Sequence, residues 1–147
     1  MKTLVSALAL LVGSHVTAVA ADQMIKFKLV TFYIGEKNGE YHSVGATVSP
    51  DGVIGTKDFY DKPLENGASI GRSTYYFSDG SLAANYSLTS TGTQTGGHAV
   101  GKYQIVSGTG VYQGATGSGV FEGDWEDKSP LKGASGLFNV ELNVKTP

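Results

Sequence analysis

Near the end of the chain Phe138, Val140, Leu142 and Val144 alternate with Asn139, Glu141, Asn143 and Lys145. A period of two puts all four apolar side chains on one face of a strand. The same rhythm opens the body of the chain, where Ile25, Phe27 and Leu29 alternate with Lys26 and Lys28. Further runs fall at about 40–48, 52–60, 71–78, 81–90, 97–106 and 115–125, so that with 24–33 and 135–145 eight strands are expected. Turn-forming pairs separate them: Asn38-Gly39, then Pro50-Asp51-Gly52, then Asp79-Gly80. Gly accepts the positive φ of tight hairpins, and Asn and Asp tolerate it better than most, so neighbouring strands are expected to be antiparallel. No stretch after residue 20 holds a 3.6-residue period with caps, and little helix is expected. Eight hairpin-linked strands fit a sandwich or a closed barrel, and the pattern alone does not choose between them.

Composition sharpens this picture at a few points. Of the 147 residues 21 are Gly and 8 are Tyr, which disfavours helix and suits strands and their turns. The first twenty residues read differently. Lys2 precedes an apolar run, Leu4 to Val12, and Ala18-Val19-Ala20 follows as an A-x-A cleavage site. The run is too short to span a bilayer of roughly 30 Å. Residues 1–20 are therefore expected to be a signal peptide and residues 21–147 a single domain, secreted or periplasmic and free of membrane after cleavage. Loss of Lys2 takes the formal net charge from −2 to −3. That balance argues against nucleic acid as a partner, which calls for clustered positive charge. There is no cysteine, hence no disulfide, and a chain of this length can bury a sufficient core without one.

The segment Tyr103 to Gly119, YQIVSGTGVYQGATGSG, resembles the Gly- and aromatic-containing stretch of allene oxide cyclases and plant dirigent proteins. Upstream, Tyr75-Tyr76-Phe77-Ser78-Asp79-Gly80 is similar to the aromatic hairpin that precedes that stretch in the cyclases and their bacterial relatives. The likeness covers roughly residues 70–145. It implies an all-β fold, an eight-stranded antiparallel closed barrel of the allene oxide cyclase and dirigent type, and a homo-oligomer, namely a trimer. The residues themselves are compatible with that. Gly108, Gly110, Gly114, Gly117 and Gly119 lie in or beside strands, where glycine suits bulges, sharp bends or close backbone packing. The cyclase pocket groups are missing: the first strand reads MIKFKLVTFY, without the Glu and Asn of the plant enzymes, and their cysteine has no counterpart. Dirigent pockets carry Asp, Arg and Tyr; Asp58, Arg72 and Tyr75 are residues of those types.

Motifs for other chemistry fail on context. Gly67-Ala68-Ser69-Ile70-Gly71 matches the G-x-S-x-G nucleophile elbow, but the following residues read as a strand where that motif needs a helix, and Ser69 is expected in an ordinary loop. Gly108-Thr109-Gly110 and Gly117-Ser118-Gly119 lack the helix that a phosphate loop requires behind it. His42 and His98 have no partner at metal-ligand spacing, and the acidic cluster Glu122 to Asp127 lacks the spacing of a calcium loop, so no metal is expected. An Asn-x-Ser sequon stands at Asn85-Tyr86-Ser87.

The aromatic set is the most suggestive feature. Phe27, Tyr75, Phe77, Tyr86, Tyr103 and Trp125 all fall in strands or at their ends. Such rings fill the core of a small barrel, or they wall a lumen that holds one small ligand. Three functions stay open. The chain binds or steers a small apolar or aromatic molecule in its lumen without a cofactor; it is a cofactor-free cyclase or isomerase; or it is a structural or interaction module with a packed barrel.

Overall fold

The computed structural model describes residues 21–93, 95–126 and 135–147. The expected signal peptide, residues 1–20, lies outside the described residues, as does Asp127 of the acidic cluster. Eight strands follow one another: β1 (Ala21–Lys37), β2 (Glu40–Ser49), β3 (Gly52–Pro63), β4 (Ala68–Phe77), β5 (Gly80–Thr93), β6 (Gly96–Gly110), β7 (Thr116–Glu126) and β8 (Gly136–Thr146). Each pairs antiparallel with the next, and β8 returns to β1 along the register from Ala21↔Thr146 to Thr31↔Gly136. The sheet is thus a closed barrel and not a sandwich. Every strand expected from the alternation is present, longer at most ends than the pattern suggested. The one helical element among the described residues is a 3-10 turn, Glu65–Gly67, between β3 and β4.

Local sequence explains the hairpins. Asn38 (φ 56°) and Gly39 (φ 76°) both take the left-handed conformation that a two-residue turn needs to match the twist of its strands. Pro50-Asp51 and Ser78-Asp79 close the β2–β3 and β4–β5 turns.

The two ends of the barrel differ. The β6–β7 connection folds into tight turns, with Tyr112 N–H donating to the Thr109 carbonyl and Ala115 N–H to the Tyr112 carbonyl. This tucks Tyr112 and Ala115 into the barrel end, where both are buried with Leu82, Ile105, Leu142 and Val144. That end is a packed floor. At the opposite end stand the β1–β2, β3–β4 and β5–β6 connections, and among the described residues no such plug is present there.

Glycines fill a role beyond bends. Inward-facing glycines stand directly across from large inward residues: Gly71↔Tyr86, Gly101↔Phe121, Gly119↔Tyr103 and Gly123↔Phe138. A Cβ at Gly71 would overlap the Tyr86 ring, and one at Gly101 the Phe121 ring. Small-against-large pairing is how a narrow barrel fits rings inside. Gly117 is the exception that does need its backbone freedom: its φ is +144°, and a Cβ there would run into the Asn143 carbonyl.

Candidate ligand site in the barrel lumen

Toward the end opposite the packed floor the described residues surround a cavity of about 490 Å³. Its walls include Leu29, Tyr86, Tyr103, Phe121, Trp125 and Phe138, with Lys57 and Asp61 among them. Apolar cavities of roughly 150 Å³ already admit a benzene.

The six aromatic residues singled out from the sequence divide into two groups. Tyr86, Tyr103 and Trp125 line the cavity. Phe27, Tyr75 and Phe77 face inward but pack beneath it, Phe27 edge-on to Tyr75 at 5.5 Å and Phe77 against Tyr112 at 5.7 Å between ring centroids. Trp125 sits half-buried at the mouth, where its indole N–H donates to Ser90 Oγ at 2.7 Å. The Tyr103 ring is the hub, in contact with Phe121 at 4.8 Å and with Tyr75 and Tyr86 at 5.8 Å.

Two polar residues at the site escaped the sequence reading. Lys57 is 3% exposed, the one buried cation among the described residues. Its Nζ donates to the Tyr103 hydroxyl at 2.7 Å and stands 4.4 Å from the Phe59 ring centre, 4.8 Å from Tyr103, 5.1 Å from Tyr75 and 5.2 Å from Tyr86. Ring faces attract a cation, but they replace little of its hydration. Burial accordingly pushes the Lys57 amine down to about 7, although the Asp61 charge acts the other way. Asp61 lies four residues along the same strand, on the same face and toward the mouth. Burial raises its carboxyl above the ordinary value, while Lys57 and the Tyr86 hydroxyl draw it back down.

The phenols respond in kind. Burial first, and nearby hydroxyls or the Asp61 charge after it, hold Tyr75 and Tyr86 far above the usual phenol range. Burial also raises Tyr103, with the Tyr75 hydroxyl pulling slightly the other way. All three stay protonated at any ordinary pH. Tyr86 donates to the Tyr60 carbonyl at 3.2 Å. The buried Tyr75 oxygen has no hydrogen bond of normal geometry, and neither does Thr47 Oγ1.

A bulge explains why Lys57 was not legible. β2 and β3 shift register between Thr47 and Val48, so the strict alternation of β3 breaks near Ile54, and Ile54 packs against the core. Beyond the break the inner face carries Lys57, Phe59 and Asp61. The only signal in the sequence was their common parity with Gly55.

The other candidates are dispersed. Asp58 and Arg72 do not join Tyr75 in a pocket. Both lie on the outer wall, where His42 meets Asp58 at 2.6 Å and stacks on Tyr60 at 4.4 Å. Arg72 covers the other contact of Tyr60 and forks onto Glu40 at 2.6 and 3.1 Å. His98 pairs with Asp124 at 2.9 Å, also outside. Ser69 sits in β4 and not in a loop, with no helix after it. Among the described residues no three His, Asp or Glu side chains come together as a metal site would require. A larger concavity of about 1190 Å³ runs along the outer wall past Lys28, Ile70, Val100, Lys102 and Val120. Those side chains are exposed, and none of the buried polar groups faces it.

No family profile and no curated protein sequence matches the chain. Solved structures share its architecture, among them two dirigent proteins. The pterocarpan synthase dirigent protein GePTS1 superposes with a TM-score of 0.65 at 13% identity, over 89% of this chain and 88% of that one. The pterocarpan synthase dirigent protein PsPTS1 gives 0.60 at 13% identity, over 84% and 94%. At such identity the likeness is one of fold: the chain is a dirigent-like barrel.

Proposed function

We propose that the mature chain, residues 21–147, is a secreted or periplasmic barrel that holds a small apolar or aromatic molecule in its lumen, binding or steering it without a cofactor. The cavity carries this reading. It is large enough for a substituted aromatic ring, apolar on most of its wall, and supplied with a few polar groups that would orient a guest. Among the described residues side chains leave the upper lumen unfilled, which supports this reading over the packed-barrel alternative. The cyclase or isomerase reading gains from Lys57 and Asp61, two ionisable groups displaced from their ordinary values inside a cavity. Assembly into a homo-oligomer, a trimer on the resemblance noted above, belongs to the same proposal.

Trp125 is the only tryptophan and stands at the mouth, which makes it a built-in reporter. Titration with cinnamyl alcohol is expected to change its emission saturably. Ala99 is buried and lines the cavity. Ala99→Phe, which would put a ring into that space, is expected to weaken binding by about tenfold or more. Unchanged emission together with an unchanged melting temperature across a panel of small aromatic alcohols would count against lumen binding.

A further inference from the structure

An amine at the wall of an apolar cavity has a chemical use beyond filling space. Lys57 Nζ has one hydrogen-bond partner, the Tyr103 hydroxyl, and among the described residues no carboxylate stands within ion-pair distance of it. An ammonium wants three acceptors, whereas a neutral amine is content with less and exposes a lone pair. The cavity touches this nitrogen's side chain directly, and the described residues leave a path to it from the Trp125 end.

We propose that the Lys57 amine captures the carbonyl carbon of a small apolar or aromatic aldehyde or ketone in the lumen, holding it as an imine. This rests on the reading of the lumen as a ligand pocket and specifies the class of ligand. The lone pair of Nζ forms the C–N bond as the carbonyl π pair moves onto oxygen. A proton passes from nitrogen to that oxygen, giving a carbinolamine. The C–O bond then breaks, the oxygen leaves as water with a second proton from nitrogen, and the C=N bond closes. Amine and carbonyl give imine and water, with no oxidant or reductant.

The surroundings suit each part of this. Desolvation leaves a large fraction of Lys57 neutral near pH 7, as amine nucleophiles require. The Tyr103 hydroxyl, 2.7 Å away and held protonated, is placed to relay the proton between nitrogen and oxygen. Asp61, on the mouth side of the same strand face, is placed to carry the second proton from nitrogen to the departing oxygen. The titratable groups that face Lys57 are Asp61 from β3, Tyr75 from β4, Tyr86 from β5 and Tyr103 from β6. Only Asp61 and Lys57 itself change charge between acid and mildly alkaline pH.

The test treats the purified protein with cinnamaldehyde and sodium cyanoborohydride, then maps the reduced adduct by peptide mass spectrometry. Labelling is expected at Lys57 on the order of ten to a hundredfold faster than at exposed Lys26, Lys28 or Lys102, because desolvation frees the lone pair of the buried amine. Its rate should rise with pH and level off above about 7. Cinnamyl alcohol, which has no carbonyl, should slow it by competition, and Lys57→Met should abolish it. Mapping of the unsubstituted protein gives the answer even if that variant folds poorly. Adducts spread over the exposed lysines, with Lys57 unmodified while cinnamyl alcohol still binds, would overturn the carbonyl assignment and leave the lumen reading standing. Absence of both labelling and alcohol binding would overturn both.

Discussion

Lys57→Met is expected to stabilise the barrel near pH 7 by roughly 2–4 kcal/mol, an unusual direction for a buried substitution. Methionine keeps most of the volume and removes the cost of dehydrating a charge. A lysine held at about 7 in the fold against 10.5 unfolded corresponds to a penalty approaching 5 kcal/mol at about 1.4 kcal/mol per unit. The lost hydrogen bond to Tyr103 and the ring contacts offset part of the gain. The pH dependence gives the sharper signature. Between pH 7 and 10.5 the unfolded chain binds the lysine proton and the folded chain does not. Stability of the unsubstituted protein should therefore rise with pH across that window, by up to about 1.4 kcal/mol per unit. Below about 7 both states carry the proton, so the cost is fully present and the curve is flat in this term. Asp61, raised in the fold, acts with opposite sign and at lower pH: its contribution falls as pH rises from the unfolded value toward the folded one. The raised tyrosines erode stability only above their ordinary value of 10. Urea melts between pH 7 and 9.5 isolate the lysine. Lys57→Met should remove the slope; a variant that is less stable and keeps the slope would show that Lys57 is not desolvated as described.

Gly101→Val should cost roughly 3 kcal/mol or more, enough to leave a domain of ordinary stability largely unfolded at modest denaturant. The new side chain would enter the space of the Phe121 ring and crowd the Ser87 carbonyl of the adjacent strand. The mechanism predicts a specific partner. Phe121→Leu in the Gly101→Val background should recover part of the loss, giving a coupling of about 1 kcal/mol or more. Strict additivity of the two changes would mean that the glycine serves the backbone and not the ring opposite.

That glycine also marks where the sequence was readable and where it was not. Alternation such as Phe138, Val140, Leu142 and Val144 is a local signal, and the turn pairs Asn38-Gly39 and Asp79-Gly80 act locally too. All eight strands were visible from these. Gly108, Gly110, Gly114, Gly117 and Gly119 were read as bulges, bends or close backbone packing, a reading that the positive φ of Gly110, Gly114 and Gly117 fits. Gly101 was not among them and faces the Phe121 ring across the ladder, and pairing across strands cannot be seen along one of them. The same limit applied to the site. The aromatic set was legible as strand residues, and Phe27, Tyr75, Tyr86 and Tyr103 are buried, but which face of the sheet points inward was not legible. That Tyr112 and Ala115 plug one end was not legible either, and so the division between a packed floor and a cavity was hidden. Lys57 was masked by the bulge between Thr47 and Val48, which breaks the alternation that would have shown a lysine on the inner face.

The central claim is that the lumen, and not the outer wall, receives an apolar guest. A brominated cinnamyl alcohol soaked into crystals tests it most directly, since bromine reveals itself by anomalous scattering. The account predicts a peak between Tyr86, Tyr103 and Phe121, above the floor formed by Phe27 and Tyr75. A peak confined to the outer surface over Ile70, Val100 and Val120, with the lumen holding water alone, would contradict it.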